Sequence, residues 1–450
     1  MSEAPIDLSP DYINVNALKV VNRLTSSGYQ AYLVGGCVRD LLLGNNPKDF
    51  DVATNAHPDE VHELFRNSRL IGRRFKIVHV RFGREIIEVA TFRAPHSEQQ
   101  TEQNFSNEGM ILSDNIYGTF SEDSARRDFT VNALYYDAES DTIHDEVKGL
   151  EDLGKRQIRL IGDPDSRYRE DPVRMLRAVR FKAKLAFEIE PVTAEPLRRL
   201  GLLLRDIPPA RLFEEVLKLF MTGHGERSFA VLREYDLFGW LFPDTNRLLE
   251  TAHGAELIRL ALASTDRRIA LDMPVTPAFI FAALLWQPYL EQRQRREQSG
   301  ESAYVAGFEG ANEAVTRQLS VTSIPKRFSG PMRDIWSLQY RLPTRSGKKP
   351  ETLLLHKRFR AAYDFLLLRE ESGEKLGGLG EWWTRYQETT EELRGDMLIA
   401  RGSEKNSSAI DDFEIDDSEA DGSEPNGSEP NGNAPAKRPR RRRRKPASQS

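Results

Sequence analysis

Two aspartates separated by one residue, Asp49 and Asp51, are the side chains in this sequence best suited to hold a metal ion. They lie in the run KDFDVAT, whose pattern predicts a strand with both carboxylates on one face and Phe50 and Val52 toward a core. Neighbouring carboxylates repel each other unless a cation lies between them. Mg²⁺ prefers carboxylate oxygens together with substrate phosphates, so the pair indicates phosphoryl chemistry. Such a pair standing alone is more often a solvated strand end.

A third acid often completes a site of this kind, and two candidates stay open. Glu88 lies in a β-rich run further along the chain, and Asp128 follows Arg126 and Arg127. Each also has a simpler interpretation. Glu88 fits an ordinary exposed strand residue, and Asp128 fits a partner of its neighbouring arginines.

A glycine turn precedes the acidic pair. Tyr32 to Val34 are strand formers, Gly35 and Gly36 let the backbone approach a ligand, and residues 38–43 predict a short helix. Amides at the start of that helix could hold a phosphate. Cys37 inside the turn could be a nucleophile, but no base stands beside it, which favours a small buried residue.

A second group of charged residues lies in EDPVRMLRAVRF, residues 170–181. Asp171 fits an N-cap and Pro172 the first helical turn, so a helix is predicted from there. Arg174 and Arg177 would lie one turn apart on it, with Met175 and its apolar neighbours on the core side. Arginine forks suit phosphates and base edges, whereas the simpler alternative is a charged, solvated helix face.

The elements that must position these side chains indicate an α+β fold. A loose lead over residues 1–11 is followed by a predicted helix over 12–25 and another over 58–65. Further predicted elements are a hairpin of 76–82 and 85–92, a mobile loop over 94–114, and strands over 129–136 and 158–161. From residue 172 onward the pattern is helical, with predicted helices over 173–184, 194–204, 209–221 and 226–237, and residues 239–243 indicate a helix-helix corner.

Composition narrows the class of protein. The chain has 450 residues, 39% of them hydrophobic and 30% charged, which suits a globular protein of two or three domains. No apolar run reaches the roughly 18 residues of a transmembrane helix, and the N-terminus lacks signal-peptide features, so we expect a cytoplasmic protein. The single cysteine agrees with a reducing compartment.

The charge is distributed unevenly. Residues 437–445, KRPRRRRRK, carry eight positive charges, so a net charge of −5 leaves −13 on the rest of the chain. The segment before this run is acidic and low in complexity, which predicts a disordered tether over residues 401–450. Its basic end, including Arg440, Arg441, Arg442, Arg443 and Arg444, predicts a polyanion partner. RNA is favoured, and a membrane, an acidic protein or the tether itself are the alternatives.

Three motifs together resemble a known class. LVGGCVRDLLLGNNPKDFDVAT, RRDFTVNALYYD and EDPVRMLRAVRF, in this order, are similar to the template-independent nucleotidyltransferases that include bacterial poly(A) polymerases and CCA-adding enzymes. The resemblance implies a mixed-sheet nucleotidyltransferase palm domain over 12–165 and a helical, nucleotide- and RNA-binding neck over 166–240. It further implies a helical body and RNA-binding region over 241–400, before the disordered tail.

The resemblance also implies roles for individual residues. Asp49 and Asp51 would bind two Mg²⁺ ions and Asp128 would complete the catalytic acids. The triphosphate of ATP would be held by Gly35, Gly36, Arg39 and Arg127. Asp171 and Arg174 would contact the edge of the base, and Arg177 would hold ribose, phosphate or the helix itself.

Two reactions compete within the class. LIGRRFKIVHVRFG at 70–83 and the basic carboxyl terminus resemble the poly(A) polymerase branch, which implies transfer of AMP from ATP to RNA 3′ ends, RNA turnover and possible RNA-degradation protein partners. The alternatives are CCA addition to tRNA and, less favoured because all three aspartates are present, an inactive RNA-binding scaffold. The Asp171 and Arg174 pair would suit adenine and cytosine equally, so it does not choose between ATP and CTP.

Overall fold

An eight-stranded sheet forms the N-terminal half of the computed structural model, which describes residues 2–5, 12–72, 76–94, 116–249 and 253–398. The sheet order is β1-β8-β7-β2-β3-β6-β5-β4. Its strands are β1 Ser2–Pro5, β2 Ala31–Val34, β3 Asp51–Thr54, β4 Ser68–Ile71, β5 Ile77–Phe82, β6 Glu85–Thr91, β7 Tyr135–Asp137 and β8 Thr142–Asp145. Neighbouring strands are antiparallel except β3 and β6, which run parallel.

One face of the sheet packs against three helices, α1 Val15–Ser26, α2 Gly36–Leu42 and α3 Pro58–Leu64. The Asn14 side chain caps α1 by accepting hydrogen bonds from the amides of Asn16 and Ala17. Val20 of α1 and Val52 of β3 are fully buried in one core with many other apolar side chains. This core fixes which residues of β3 point away from the helices.

The opposite face of the sheet is covered by a short helix, α4 Phe120–Arg126. Val34, Ala53, Phe92 and Tyr135 form a buried cluster there, and Phe120 packs against it. Asp51 is paired with Val34, which in turn is paired with Tyr135. Paired residues share a face, so Asp51 lies on the side that carries α4.

The remaining chain is helical apart from a small parallel pair, β9 Gln157–Ile158 with β10 Glu188–Ile189. The helices are α5 Gly149–Lys155, α6 Pro164–Glu170, α7 Val173–Leu185, α8 Pro191–Leu200, α9 Pro209–Phe220, α10 Gly225–Glu234, α11 Phe238–Leu241, α12 Pro243–Leu248, α13 Gly254–Ala270, α14 Pro277–Leu284, α15 Trp286–Gln298, α16 Ala303–Leu319, α17 Lys326–Arg341, α18 Lys349–Leu354, α19 Phe359–Glu371, α20 Leu379–Glu388 and α21 Glu391–Arg394. The described residues also form the 3₁₀ turns Thr130–Asn132, before β7, Gly201–Asp206, after α8, and Gly395–Met397, after α21. Within the described ranges, no helix is long and apolar enough to cross a membrane.

The predicted α+β class, the hairpin of β5 and β6, and the helical second half are confirmed. All described residues belong to one compact unit. The predicted domain boundaries near residues 165 and 240 lie inside this unit and stay predictions. The predicted mobile loop, apart from its first residue, and the tail from 401 lie outside the described residues.

Three predicted elements differ from the structure. Ser2–Pro5, expected to be part of a loose lead, is the edge strand β1 and pairs with β8. The expected strand over 129–136 begins instead with the Thr130–Asn132 turn, because Thr130 donates its hydroxyl to Asp152 at 2.7 Å and Asn132 accepts from Arg39. The expected strand over 158–161 is reduced to Ile158 in β9 and an isolated bridge between Leu160 and Phe129.

Candidate functional site

The predicted glycine turn joins β2 to α2. Gly35 has φ +84°, a left-handed conformation that side chains other than glycine rarely adopt. A Cβ at Gly35 would lie 3.7 Å from Nη1 of Arg127, and one at Gly36 would lie 3.5 Å from Nη2 of Arg39. Both distances are ordinary van der Waals contacts, so the turn lies beside two guanidinium groups and it is the φ of Gly35 that requires glycine.

The two predicted metal-binding aspartates are exposed, while Phe50 and Val52 are buried, as the alternation predicted. The strand begins later than expected, since β3 starts at Asp51 and Asp49 lies in the loop before it. Asp51 is the first residue to pair with both neighbouring strands, opposite Val34 on one side. The position of the Asp49 side chain is therefore set by a loop, and that of the Asp51 side chain by the sheet.

Glu88 lies directly opposite Asp51 on the parallel strand β6, and its carboxylate is 3.2 Å from Nε2 of His79. The pKa of Asp51 is raised to about 6, first by loss of water around it and then by the charge of Glu88, with a further contribution from Asp49. The positive charge of Arg127 has the opposite effect and lowers the pKa of Asp51. Among the acids, Glu88 and Asp49 are therefore the ones whose charges Asp51 experiences most strongly.

This donor set fits a hard divalent cation. A carboxyl group with a raised pKa surrounded by other carboxylates is stabilised by a bound cation. In the described part of the chain, no three or more His, Cys, Asp or Glu side chains form a complete cage for an ion. Mg²⁺ characteristically uses one or two protein carboxylates and completes its shell with water and substrate phosphates, which is the arrangement that Asp49 and Asp51 offer.

Arg127 is held over the same face of the sheet. Its Nε and Nη2 donate to Asp123 at 3.2 and 3.0 Å, and Nε also donates to the Tyr135 hydroxyl at 2.7 Å. The guanidinium carbon lies 4.9 Å from the centre of the Tyr135 ring. Burial alone would lower the pKa of Arg127, but Tyr135 and Asp123 raise it above its ordinary value, so the side chain stays charged.

Arg39, predicted to hold the triphosphate, is 2% exposed and bonded within the fold. Nε and Nη2 donate to Asp40 at 2.8 and 2.6 Å, and Nη1 donates to Asn132 at 2.5 Å. Its guanidinium would have to leave these partners to contact a ligand. The arrangement favours a role in fixing α2 against the Thr130–Asn132 turn.

Asp128, predicted as a catalytic acid, is bonded at both carboxylate oxygens. Oδ1 accepts from the amide of Phe129 at 2.8 Å, and Oδ2 accepts from Nε of Arg177 at 2.6 Å and from its Nη2. Burial alone would raise the pKa of Asp128, but Arg177 lowers it below the ordinary value. The ion pair of Asp128 and Arg177 links the end of α4 to α7. Asp128 is therefore ionised, and both of its carboxylate oxygens already accept hydrogen bonds from the protein.

Asp171 and Arg174, the predicted base-contacting pair, lie where α6 meets α7. Asp171 accepts from the Val173 amide at 3.3 Å and from Nη2 of Arg211 at 2.8 Å, but the N-cap position of α7 is Pro172, one residue later than predicted. Arg174 donates from Nη1 to Glu170 at 2.8 Å and to the Arg167 carbonyl at 2.6 Å. Both side chains are therefore oriented by the protein before any nucleotide binds.

Arg167 connects these groups. Its Nη2 donates to the carbonyl oxygens of Arg126 and Arg127 at 2.5 and 2.8 Å, and its Nη1 donates to Glu170 at 2.8 Å. The backbone of Arg127 is thus joined to the residue that holds Arg174.

Sequence reasoning missed the residues that orient the predicted ones: Asp123, Asn132, Tyr135, Arg167 and Arg211. Arg211 is forty residues from its partner along the chain, so no local pattern could reveal it. Asp123 and Arg127 do carry a signal, since residues four apart on a helix meet on one face.

Cys37 is buried, and its thiol donates to the Val34 carbonyl at 3.3 Å. Burial raises its pKa to about 12, so it stays protonated and is a poor nucleophile. The structural interpretation of this residue is confirmed.

Three family models match the chain. They are the poly A polymerase head domain over residues 31–159, the probable RNA and SrmB-binding site of polymerase A over 186–249, and the polymerase A arginine-rich C-terminus over 299–446. The first contains the acidic pair and Arg127, and together they span most of the sequence.

The chain is also similar to individual proteins of the same class. The poly(A) polymerase I of Salmonella typhimurium is 52% identical over 396 residues, which cover 86% of this chain and 85% of that protein. The CCA-adding enzyme of Lactobacillus helveticus is 37% identical over 232 residues, 52% of this chain and 56% of that enzyme. A crystal structure of the Bacillus stearothermophilus CCA-adding enzyme in complex with CTP matches with a TM-score of 0.57 at 26% identity, covering 82% of this chain and 80% of the other.

Proposed function

The chain belongs to the bacterial poly(A) polymerase family, and from this we propose that it transfers AMP from ATP to the 3′ end of RNA without a template. The observation that carries the proposal is the acidic pair Asp49 and Asp51 beside the glycine turn, with the pKa of Asp51 raised to about 6. This is a site prepared for a cation and for the phosphates of a nucleotide.

In the proposed reaction the RNA 3′ oxygen forms a bond to the α-phosphorus of ATP and the bond to pyrophosphate breaks. Asp49 and Asp51 would hold Mg²⁺, with Glu88 as the nearest further acid. Bound Mg²⁺ ions supply charge that lowers the pKa of the attacking hydroxyl and neutralises the triphosphate. The choice of Glu88 over Asp128 rests on the register of β3 and β6 and on the engagement of Asp128 by Arg177.

The nucleotide would lie between two groups of residues. Gly35 and Gly36 leave room for the triphosphate, and Arg127 offers it a fixed positive charge. At the other end Asp171 would accept from the adenine amino group and Arg174 would donate to the adjacent ring nitrogen. Arg177 would act through Asp128, by holding α7 against the sheet.

Poly(A) synthesis is favoured over CCA addition by the extent of the similarity. The poly(A) polymerase I relative matches 86% of this chain, whereas the CCA-adding relative matches 52%. The Arg440 to Arg444 run, outside the described residues, would add sequence-independent contacts to RNA phosphates.

Product length distinguishes the two reactions. The protein would be incubated with Mg²⁺ and either an unstructured RNA or a tRNA lacking its 3′ end, each with ATP, CTP or both. We expect long ATP-dependent ladders on the unstructured RNA. A stop after three nucleotides that requires both ATP and CTP would refute poly(A) synthesis in favour of CCA addition.

The metal assignment is tested separately. Asp51→Ala should abolish AMP transfer and leave RNA binding unchanged, while Asp206→Ala, at an exposed aspartate outside the site, should retain activity. Normal extension by Asp51→Ala would contradict the assignment.

A further inference from the structure

The guanidinium of Arg127 is held by Asp123 and Tyr135, neither of which was among the predicted site residues. Arg127 is the first residue after α4, the helix that lies over the Asp51 face of the sheet. Asp123 is one turn earlier on α4, and Tyr135 is the first residue of β7. The three side chains contact one another, although Tyr135 belongs to the sheet and the other two lie in α4 or directly after it.

The hydrogen bonds among them form a closed triangle. Tyr135 donates its hydroxyl proton to Oδ2 of Asp123 at 2.7 Å, and Arg127 donates to both partners. The other carboxylate oxygen of Asp123 accepts from the amide of Arg93 at 3.2 Å, just beyond the end of β6. Asp123 is therefore fixed to the sheet at one oxygen and holds Arg127 with the other.

Burial makes this triangle rigid. Asp123 is 7% exposed and Tyr135 is fully buried, with its ring packed against Phe120 at a centroid distance of 4.6 Å. Loss of water raises the pKa of Tyr135, so its hydroxyl remains a neutral donor at physiological pH. A charged pair shielded from water and supported by a third hydrogen bond keeps one geometry.

One nitrogen of Arg127 is left for a ligand. Nε and Nη2 are used by Asp123 and Tyr135, whereas Nη1 has no hydrogen bond within the described residues and lies beside Gly35. At this position the turn has no side chain, and a Cβ there would lie 3.7 Å from Nη1.

We propose that Asp123 and Tyr135 are positioning residues that aim Nη1 of Arg127 at the triphosphate of the incoming nucleotide. The proposal rests on the proposed function, because it takes a nucleoside triphosphate as the ligand of Arg127. Tyr135 acts only through Arg127, so its hydroxyl affects the affinity for phosphates and not for the nucleoside.

The test is equilibrium binding of ATP and of adenosine to the full chain with Mg²⁺ and without RNA, measured by calorimetry. Tyr135→Phe keeps the buried ring and removes one hydrogen bond to a charged group, so we expect ATP affinity to fall about tenfold. Adenosine, which has no phosphates, should bind equally well to both proteins. In an Arg127→Ala background the same substitution should change ATP affinity less than about twofold.

Tyr136→Phe is the matched control, because the hydroxyl of Tyr136 bonds to Asp141 and its ring lies in the other core. It should bind ATP like the unaltered protein. Asp123→Asn should weaken ATP binding in the same selective way, and Tyr135→Phe decides the matter if Asp123→Asn does not fold. Unchanged ATP affinity in Tyr135→Phe, an equal loss for adenosine, or a loss that persists without Arg127 would overturn the proposal.

ATP binding can be measured without AMP transfer, so the result for Tyr135 does not depend on whether the proposed reaction takes place. If the unaltered protein binds ATP but makes no ladders on RNA, the proposed function fails while the positioning of Arg127 is still measured.

Discussion

Replacing Asp51, the proposed metal-binding acid, by asparagine should make the metal-free protein more stable while abolishing its activity. The pKa of Asp51 is raised to about 6 in the fold, by loss of water and then by Glu88 and Asp49, whereas an unfolded chain has about 3.9. A carboxyl whose pKa is higher in the folded state favours folding when protonated. Its ionisation therefore costs stability as pH rises from about 4 through about 6.

The size of the effect follows from that difference. Two pKa units correspond to about 3 kcal/mol at neutral pH, which is an upper bound. Because Asp51 is exposed to solvent, screening reduces the expected gain in Asp51→Asn to about 1 kcal/mol. The gain should be small near pH 4.5 and complete by about pH 8, since asparagine does not titrate.

Urea unfolding followed by circular dichroism, with EDTA present, would measure the free energy of unfolding of both proteins across that pH range. Asp206→Asn is the control, because Asp206 is an exposed aspartate outside the site, and this variant should unfold like the unaltered protein. Added Mg²⁺ should stabilise the unaltered protein more than Asp51→Asn. An Asp51→Asn variant that is less stable at pH 8, or whose difference from the unaltered protein does not change with pH, would refute the reasoning.

Three further predictions concern the scaffold around the site. Gly149→Ala should lower the free energy of unfolding by about 2 kcal/mol, because its Cβ would overlap the backbone carbonyl oxygen of Thr130. Gly154→Ala on the same helix has open space and should be neutral or stabilising in the same urea titration. Arg177→Met should cost about 2 kcal/mol by leaving Asp128 unpaired, and adding Asp128→Asn should recover part of the loss in a double-mutant cycle. Arg211→Gln should raise KM for ATP about fivefold with little change in the KM for RNA, since it releases Asp171, the carboxylate proposed to contact the base; an equal rise in both would contradict this.

The parts of the site that could be predicted from the sequence are those determined by neighbours along the chain. The strand, the glycine turn at Gly35 and the alternation that buries Phe50 and Val52 follow from local rules, and the structure has all three. The helix carrying Arg174 was predictable for the same reason, since its cap and its apolar side lie within a few residues.

The parts that could not be predicted depend on contacts between distant segments. β1 is a strand because β8, some 140 residues later, offers it a partner, and four residues near the N-terminus carry no sign of that. Likewise, nothing next to Asp171 in sequence indicates Arg211. Asp128 was predicted as a catalytic acid from its motif, and that role stays a prediction, but its hydrogen bond with Arg177, forty-nine residues away, has no local signal in the sequence.

Arg167 has a consequence for how such sequences can diverge. Its guanidinium joins the carbonyl of Arg127 to Glu170, and Glu170 holds Arg174, so a single side chain connects the residue proposed to contact the phosphates with the one proposed to contact the base. In related sequences, a substitution that shifts Arg174 should therefore be accompanied by changes near Arg127, because Arg167 links the two positions.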